Sequence, residues 1–129
     1  MITRDDLTKR FGEAELIRLT DREHYQHINE DVLKAAILDA EAEAKSYLRA
    51  AGLSDAIVHT APILKIKVCD MARYYLHQDG VTTVVEARYQ QAISFLKEVV
   101  KNPRLLKIGP EPSPSALSGI AIAPASVLA

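Results

Sequence analysis

Proline is distributed along this chain in a way that leaves few folds open. One of its six prolines, Pro62, lies within residues 1–102; the other five fall between Pro103 and Ala129. Proline lacks the backbone donor and clashes with the preceding turn, so the stretch from Pro103 onward cannot continue a helix. That stretch carries charge only at Arg104, Lys107 and Glu111, and 13 of its residues are Ala, Val, Ile or Leu. It is too apolar for an ordinary solvated linker. The pattern describes a body, residues 1–102, followed by an extended apolar arm, residues 103–129.

The nearly proline-free body reads as all-α: three long helices preceded by one or two short ones. Thr3 is placed to cap the first short helix, with Asp5 and Asp6 in its opening turn, where the helix dipole favours negative charge. Gly12 interrupts it, and Glu13 to Leu19 reads as a second short helix. Asn29 caps the first long helix, in which Val32, Leu33, Ala36, Ile37, Ala40, Ala44, Tyr47, Leu48 and Ala51 recur every three or four residues. Gly52 follows, where a left-handed residue ends a helix well. Pro62 suits the first turn of the next helix, whose stripe runs from Leu64 through Val68, Met71, Ala72 and Tyr75 to Leu76, with Gly80 as its stop. Thr83 and Glu86 are spaced as a capping box for the third, which carries Val85, Tyr89, Ala92, Ile93, Leu96, Val99 and Val100. The short stop at 80–82 predicts an antiparallel pair of the last two helices. Residues 53–61 read as a short strand or extended loop.

Sixteen basic residues against 17 acidic ones give a formal charge of −1, so no global basic field gathers nucleic acid. Cys69 is the only cysteine, which rules out an intramolecular disulfide. The N-terminal stretch has no apolar signal core, and no run approaches a membrane span; a soluble protein is expected.

Chemistry is sparse. His24 and His27 stand three apart in a polar loop without a second ligand pair, a weak basis for a metal site. The same loop has Gln26 where a calcium loop needs glycine and Val32 where it needs glutamate, so it reads as structural. Cys69 lies beside an apolar stripe and reads as a buried structural thiol. Asp39, Glu41 and Glu43 read as a solvated face, with Glu41 and Lys45 spaced for a surface pair. Arg73, Tyr74, Tyr75, His77, Arg88 and Tyr89 mix basic and aromatic groups, but Tyr75 and Tyr89 fall on core stripes. No phosphate loop or nucleophile triad is present. The expectation is a protein that is not an enzyme and uses no cofactor and no metal.

One combination of short motifs goes further. Leu7, Arg10-Phe11-Gly12, Glu15-Leu16-Ile17 and Leu19-Thr20-Asp21-Arg22 open the chain. Ser46-Tyr47-Leu48 ends the first long helix. Leu64-Lys65 and Asp70-Met71-Ala72-Arg73-Tyr74-Tyr75-Leu76 mark the second, and Arg88-Tyr89, Ala92 and Phe95-Leu96 the third. In this order and spacing, over residues 5–101, the chain resembles a family of small proteins of Mu-like phages and prophages, encoded among head and neck genes. It departs from that family's pattern in the 21–28 loop and at Ala51-Gly52-Leu53-Ser54.

The resemblance implies a head–tail connector (adaptor or head-completion protein) of the virion neck, assembled in the bacterial cytoplasm. Such connectors form rings, commonly twelve-fold, beneath the portal protein, and contact a tail terminator or stopper. Packaged DNA is met only as it passes through the channel, and no membrane is involved. The family brings no catalytic residues. A ring has heterologous interfaces, which an apolar arm can enlarge. The residues assigned to that interface are Leu105, Leu106, Ile108, Leu117, Ile120, Ile122, Val127 and Leu128. Ser118 to Ala123 alternates loosely, as for pairing with a partner's sheet edge. The competing reading is a small helical binding module, a regulator or chaperone, with no place in a virion.

Overall fold

The computed structural model describes residues 1–77 and 80–106, and these are all-α, with no strand among them. Five α-helices follow in order: α1 (Arg4–Phe11), α2 (Glu13–Thr20), α3 (Glu30–Ala50), α4 (Pro62–Leu76) and α5 (Thr83–Lys101).

Most of the boundaries are set by local chemistry. Thr3 and Asp6 form a reciprocal capping box: the Thr3 hydroxyl accepts from the Asp6 N–H at 3.2 Å, and the Asp6 carboxylate accepts from the Thr3 N–H at 2.8 Å. Gly12, at φ 91°, ends α1 and starts α2. The Asn29 side chain accepts from the Asp31 and Val32 amides and opens α3. At its far end the Gly52 N–H reaches Arg49 O (3.0 Å) and the Leu53 N–H reaches Leu48 O (2.9 Å), a Schellman pair that needs the left-handed residue Gly52 supplies at φ 75°.

Three local expectations are corrected. Residues 53–61 contain neither strand nor extended run: Ser54 caps a 3₁₀ turn, Asp55–His59, which buries Val58. Helix α4 stops at Leu76, before Gly80. Thr82, one residue before the expected cap, accepts from the Val85 N–H at 3.2 Å. That register leaves Glu86 one position too far for the box, and it accepts from Gln90 instead at 3.0 Å.

The three long helices run up, down and up. Glu43 meets Tyr75 across α3 and α4, while Tyr74 stacks on Tyr89 and Lys67 lies over Phe95 across α4 and α5. Rising numbers on one helix thus meet falling numbers on the next, as the short α4–α5 connection requires. Small residues on α3 (Ala36, Ala40 and Ala44) let it approach closely, and they share one core with Leu64, Val68, Met71, Ala92, Leu96 and Val99. Leu7, Leu16 and Leu19 bring α1 and α2 into the same core.

The arm begins later than proline suggested. Pro103–Leu105 forms a single 3₁₀ turn against α5, and Leu106 is buried in the chain's own core at 1% exposure. Leu106 therefore belongs to the body rather than to a partner interface, because its side chain is already desolvated. Leu105 stays exposed. Ile108, Leu117, Ile120, Ile122, Val127 and Leu128 lie outside the described residues.

Candidate functional site

The motif residues meet one another. Arg10 on α1 grips Asp70 on α4, with Nη2 to Oδ1 at 3.0 Å, Nε to Oδ1 at 3.2 Å and Nη2 to Oδ2 at 3.2 Å. Asp70 is 2% exposed. One helical turn on, Arg73 makes a two-pronged pair with Glu15 of α2, Nε to Oε2 at 2.7 Å and Nη2 to Oε1 at 3.0 Å. The Phe11 ring lies beneath both guanidinium groups, 5.5 Å from Arg10 and 4.5 Å from Arg73. Planar guanidinium forks with fixed carboxylate partners define one orientation. They clamp α1 and α2 to α4. The basic and aromatic residues of this segment are thereby committed to holding the fold.

Two of the carboxylates read as solvated are also committed, which corrects that expectation. Glu43 accepts from the Tyr75 hydroxyl at 2.8 Å and from the Tyr89 hydroxyl at 2.9 and 3.0 Å, joining all three long helices. Desolvation, and then the hydrogen bond each donates to Glu43, push the Tyr75 phenol up to about 12 and raise Tyr89 as well. Glu41 takes the N-terminal ammonium at 2.9 Å and the Ile2 N–H at 3.0 Å, while Lys45, its expected partner, lies 3.9 Å from Asp55. Burial would raise the Glu41 pKa, but those donors outweigh it and the net shift is downward.

The loop of His24 and His27 is organised by Asp21, whose carboxylate accepts from the amides of His24 (3.2 Å), Gln26 (3.1 Å) and His27 (3.3 Å). The Gln26 amide is the main cause that lowers the Asp21 pKa. No His, Cys, Asp or Glu group among the described residues is arranged to hold a metal ion. Cys69 is buried with Asp6, Arg10, Asp70 and Lys65 as its charged neighbours, and desolvation pushes its thiol up to about 12. No helix among the described residues is long and apolar enough to cross a membrane.

What remains for partners is surface. Leu38 on α3, Val84 on α5 and Tyr25 in the 21–28 loop are more than half exposed. A cleft of about 360 Å³ opens where α2, the end of α4 and the start of α5 meet. Leu19, Leu76 and Val85 give it apolar walls, and Arg18, Arg22 and His77 line it with polar and basic groups. Sequence reasoning passed over this cleft, because Arg18 and Arg22 gain meaning only once α2 lies across α4; their i,i+4 spacing was the available signal.

A comparison with curated proteins and another with solved structures return no match. A scan against protein families does: the family described as Bacteriophage Mu, Gp36 matches residues 2–120. The match takes in the helical body and runs on into the arm, past Glu111. The chain therefore belongs to the bacteriophage Mu Gp36 family.

Proposed function

We propose that this phage protein is a structural head–tail connector, an adaptor or head-completion subunit that forms a ring between portal and tail. The observation that carries the reading is a family match running unbroken from the helical body into an apolar arm. A body whose buried polar groups are locked in pairs suits a rigid ring subunit. An arm with few charges suits burial on a neighbour, its ordering cost offset by apolar contact. Assembly, not catalysis, is the mechanism in this reading: each copy docks on the portal, touches two neighbours through different patches, and helps retain the packaged DNA.

Cryo-electron microscopy of assembled particles tests it. The expected result is density for this chain as a ring at the neck, with residues 107–129 on other chains. A protein absent from particles, and monomeric or dimeric in solution, would favour a regulator or chaperone instead. A chain ending at Leu106 should keep the helicity and cooperative unfolding of the body and fail to enter particles.

A further inference from the structure

We infer that α3 of one copy packs on α5 of the next, with Leu38 against Val84 and Asp39 paired with Arg88. The inference rests on the connector reading, in which copies form a ring, and names the faces they use.

Each of the two helices carries an exposed stripe. On α3, Asp31, Ala35, Leu38 and Ala42 are spaced i, i+4, i+7, i+11, which puts them on one side, and all four are exposed. Buried Ala36 and Ala40 stand two residues to either side of Leu38, about 160° around the helix. On α5, Val84, Arg88 and Gln91 have the same spacing and are exposed. Leu38 and Val84 are the large apolar members, each more than half exposed. The charges are opposite: Asp39 flanks Leu38, and Arg88 lies one turn beyond Val84. Neither forms an ion pair among the described residues. With Leu38 level with Val84, Asp39 and Arg88 differ in height by about 4.5 Å, within an arginine's span, while Lys34 lies about 12 Å below Arg88.

Height and direction point to a second copy as the occupant. Tyr89 donates to Glu43 across α5 and α3, which run the same way. Leu38 and Val84 each precede that contact by five residues, so they share one height to within a turn, about 5.4 Å. Five residues also carry each of them about 140° around its helix, away from the contact. The two stripes of one chain therefore face apart and cannot meet; those of two copies set side by side can. Matched height matters because ring neighbours are related by rotation alone, whereas patches at different heights build an open helical filament. The ring axis then runs along the long helices.

The test uses full-length chains, with the buried Cys69 left native. Ala42→Cys and Gln91→Cys place thiols on the two stripes and leave the four contact residues intact. The two chains are mixed and treated with a short bismaleimide. A heterodimer joining positions 42 and 91 is expected, several-fold above either chain alone and above a control pairing Q91C with Asp5→Cys on α1. Product no greater than the controls overturns the inference. So does A42C joining itself more readily than it joins Q91C, the mark of a two-fold face. Arg88→Asp should lower the crosslink several-fold and D39R/R88D should restore it; a crosslink indifferent to R88D overturns the pairing. A neck ring without the 42–91 crosslink would retire this contact and keep the connector reading. The crosslink in a protein absent from particles would do the reverse.

Discussion

Replacing Arg10 with Met should be among the most damaging single changes in the body, and more damaging than removing its partner's charge. Asp70 is 2% exposed and is held by Arg10 through three bonds of 3.0–3.2 Å. Taking the guanidinium away leaves a buried carboxylate without its cation, a loss that typically costs about 3–5 kcal/mol. The Arg10 side chain is 27% exposed, so water can enter the vacated end. The low end, about 3 kcal/mol, is the expectation, with methionine keeping the packing of the stem over Phe11. Asp70→Asn keeps an acceptor and leaves Arg10 free to swing toward solvent; it should cost about 1–2 kcal/mol. R10M/D70L removes both charges and should recover most of the loss. For a body of this size 1 kcal/mol moves the melting temperature by about 4–8 °C, so R10M should melt at least about 12 °C below the parent. Thermal and urea unfolding followed by circular dichroism at 222 nm measure all three. If R10M is no worse than D70N, or if the double variant is worse than R10M, the pair is not the clamp described above.

Other consequences are smaller. Ala at Gly12 meets no neighbouring atom but must adopt φ 91°, ψ 147°, a region almost reserved for glycine, and should cost about 2 kcal/mol; G52A, at an ordinary left-handed φ of 75°, should cost about 1, and G52N less, in the same unfolding assay. With its thiol near 12, Cys69 is thiolate in only about one molecule in 10⁴ at pH 8, so a disulfide reagent should label it slowly in the native protein and promptly in urea. Glu41, Asp6 and Asp21 all titrate below their ordinary 4.5, 3.8 and 3.8, so the stability they supply is present above those values and is lost as pH falls through the folded ones; E41Q should flatten the acid limb of a stability-against-pH curve. In E43Q the Tyr75 titration, followed by absorbance at 295 nm, should move from about 12 back toward 10.

The fold was legible wherever a residue's role is decided by near neighbours in sequence. Thr3, Gly12, Asn29, Gly52 and Pro62 act on groups within five positions, and the apolar stripes repeat within one helix. The start of α5 was misread because two adjacent threonines offer the same cap, and it is Thr82 that accepts from the Val85 N–H. The polar contacts were illegible for the opposite reason. Arg10 and Asp70 are 60 positions apart, Arg73 and Glu15 58, Tyr89 and Glu43 46. Glu43 did leave a trace: it flanks the alanine stripe of α3, opposite two tyrosines whose half-buried hydroxyls need an acceptor.

The same distances explain why short, scattered motifs carried a family resemblance at all. Arg10-Phe11 on α1, Glu15 on α2 and Asp70 to Arg73 on α4 form one contact: two guanidinium forks over one ring, each closed by a carboxylate from another helix. Changing any one of the four charged residues strands its partner at a partly or fully buried position, so each pair has to be kept or lost together. The clamp fixes how α2 lies on α4, and that placement sets Arg18 and Arg22 along one side of the cleft whose apolar floor is Leu76 and Val85. Several of the motif residues, Glu15, Leu19, Arg73 and Leu76 among them, thus both set this surface and line it. A variant such as Arg73→Met leaves Glu15 without its cation and should accordingly loosen α2 from α4. R73M should speed amide hydrogen exchange in α2 more than its loss of melting temperature accounts for. If α2 exchanges at the parent's rate in a folded R73M chain, the Arg73–Glu15 pair does not hold α2 in place.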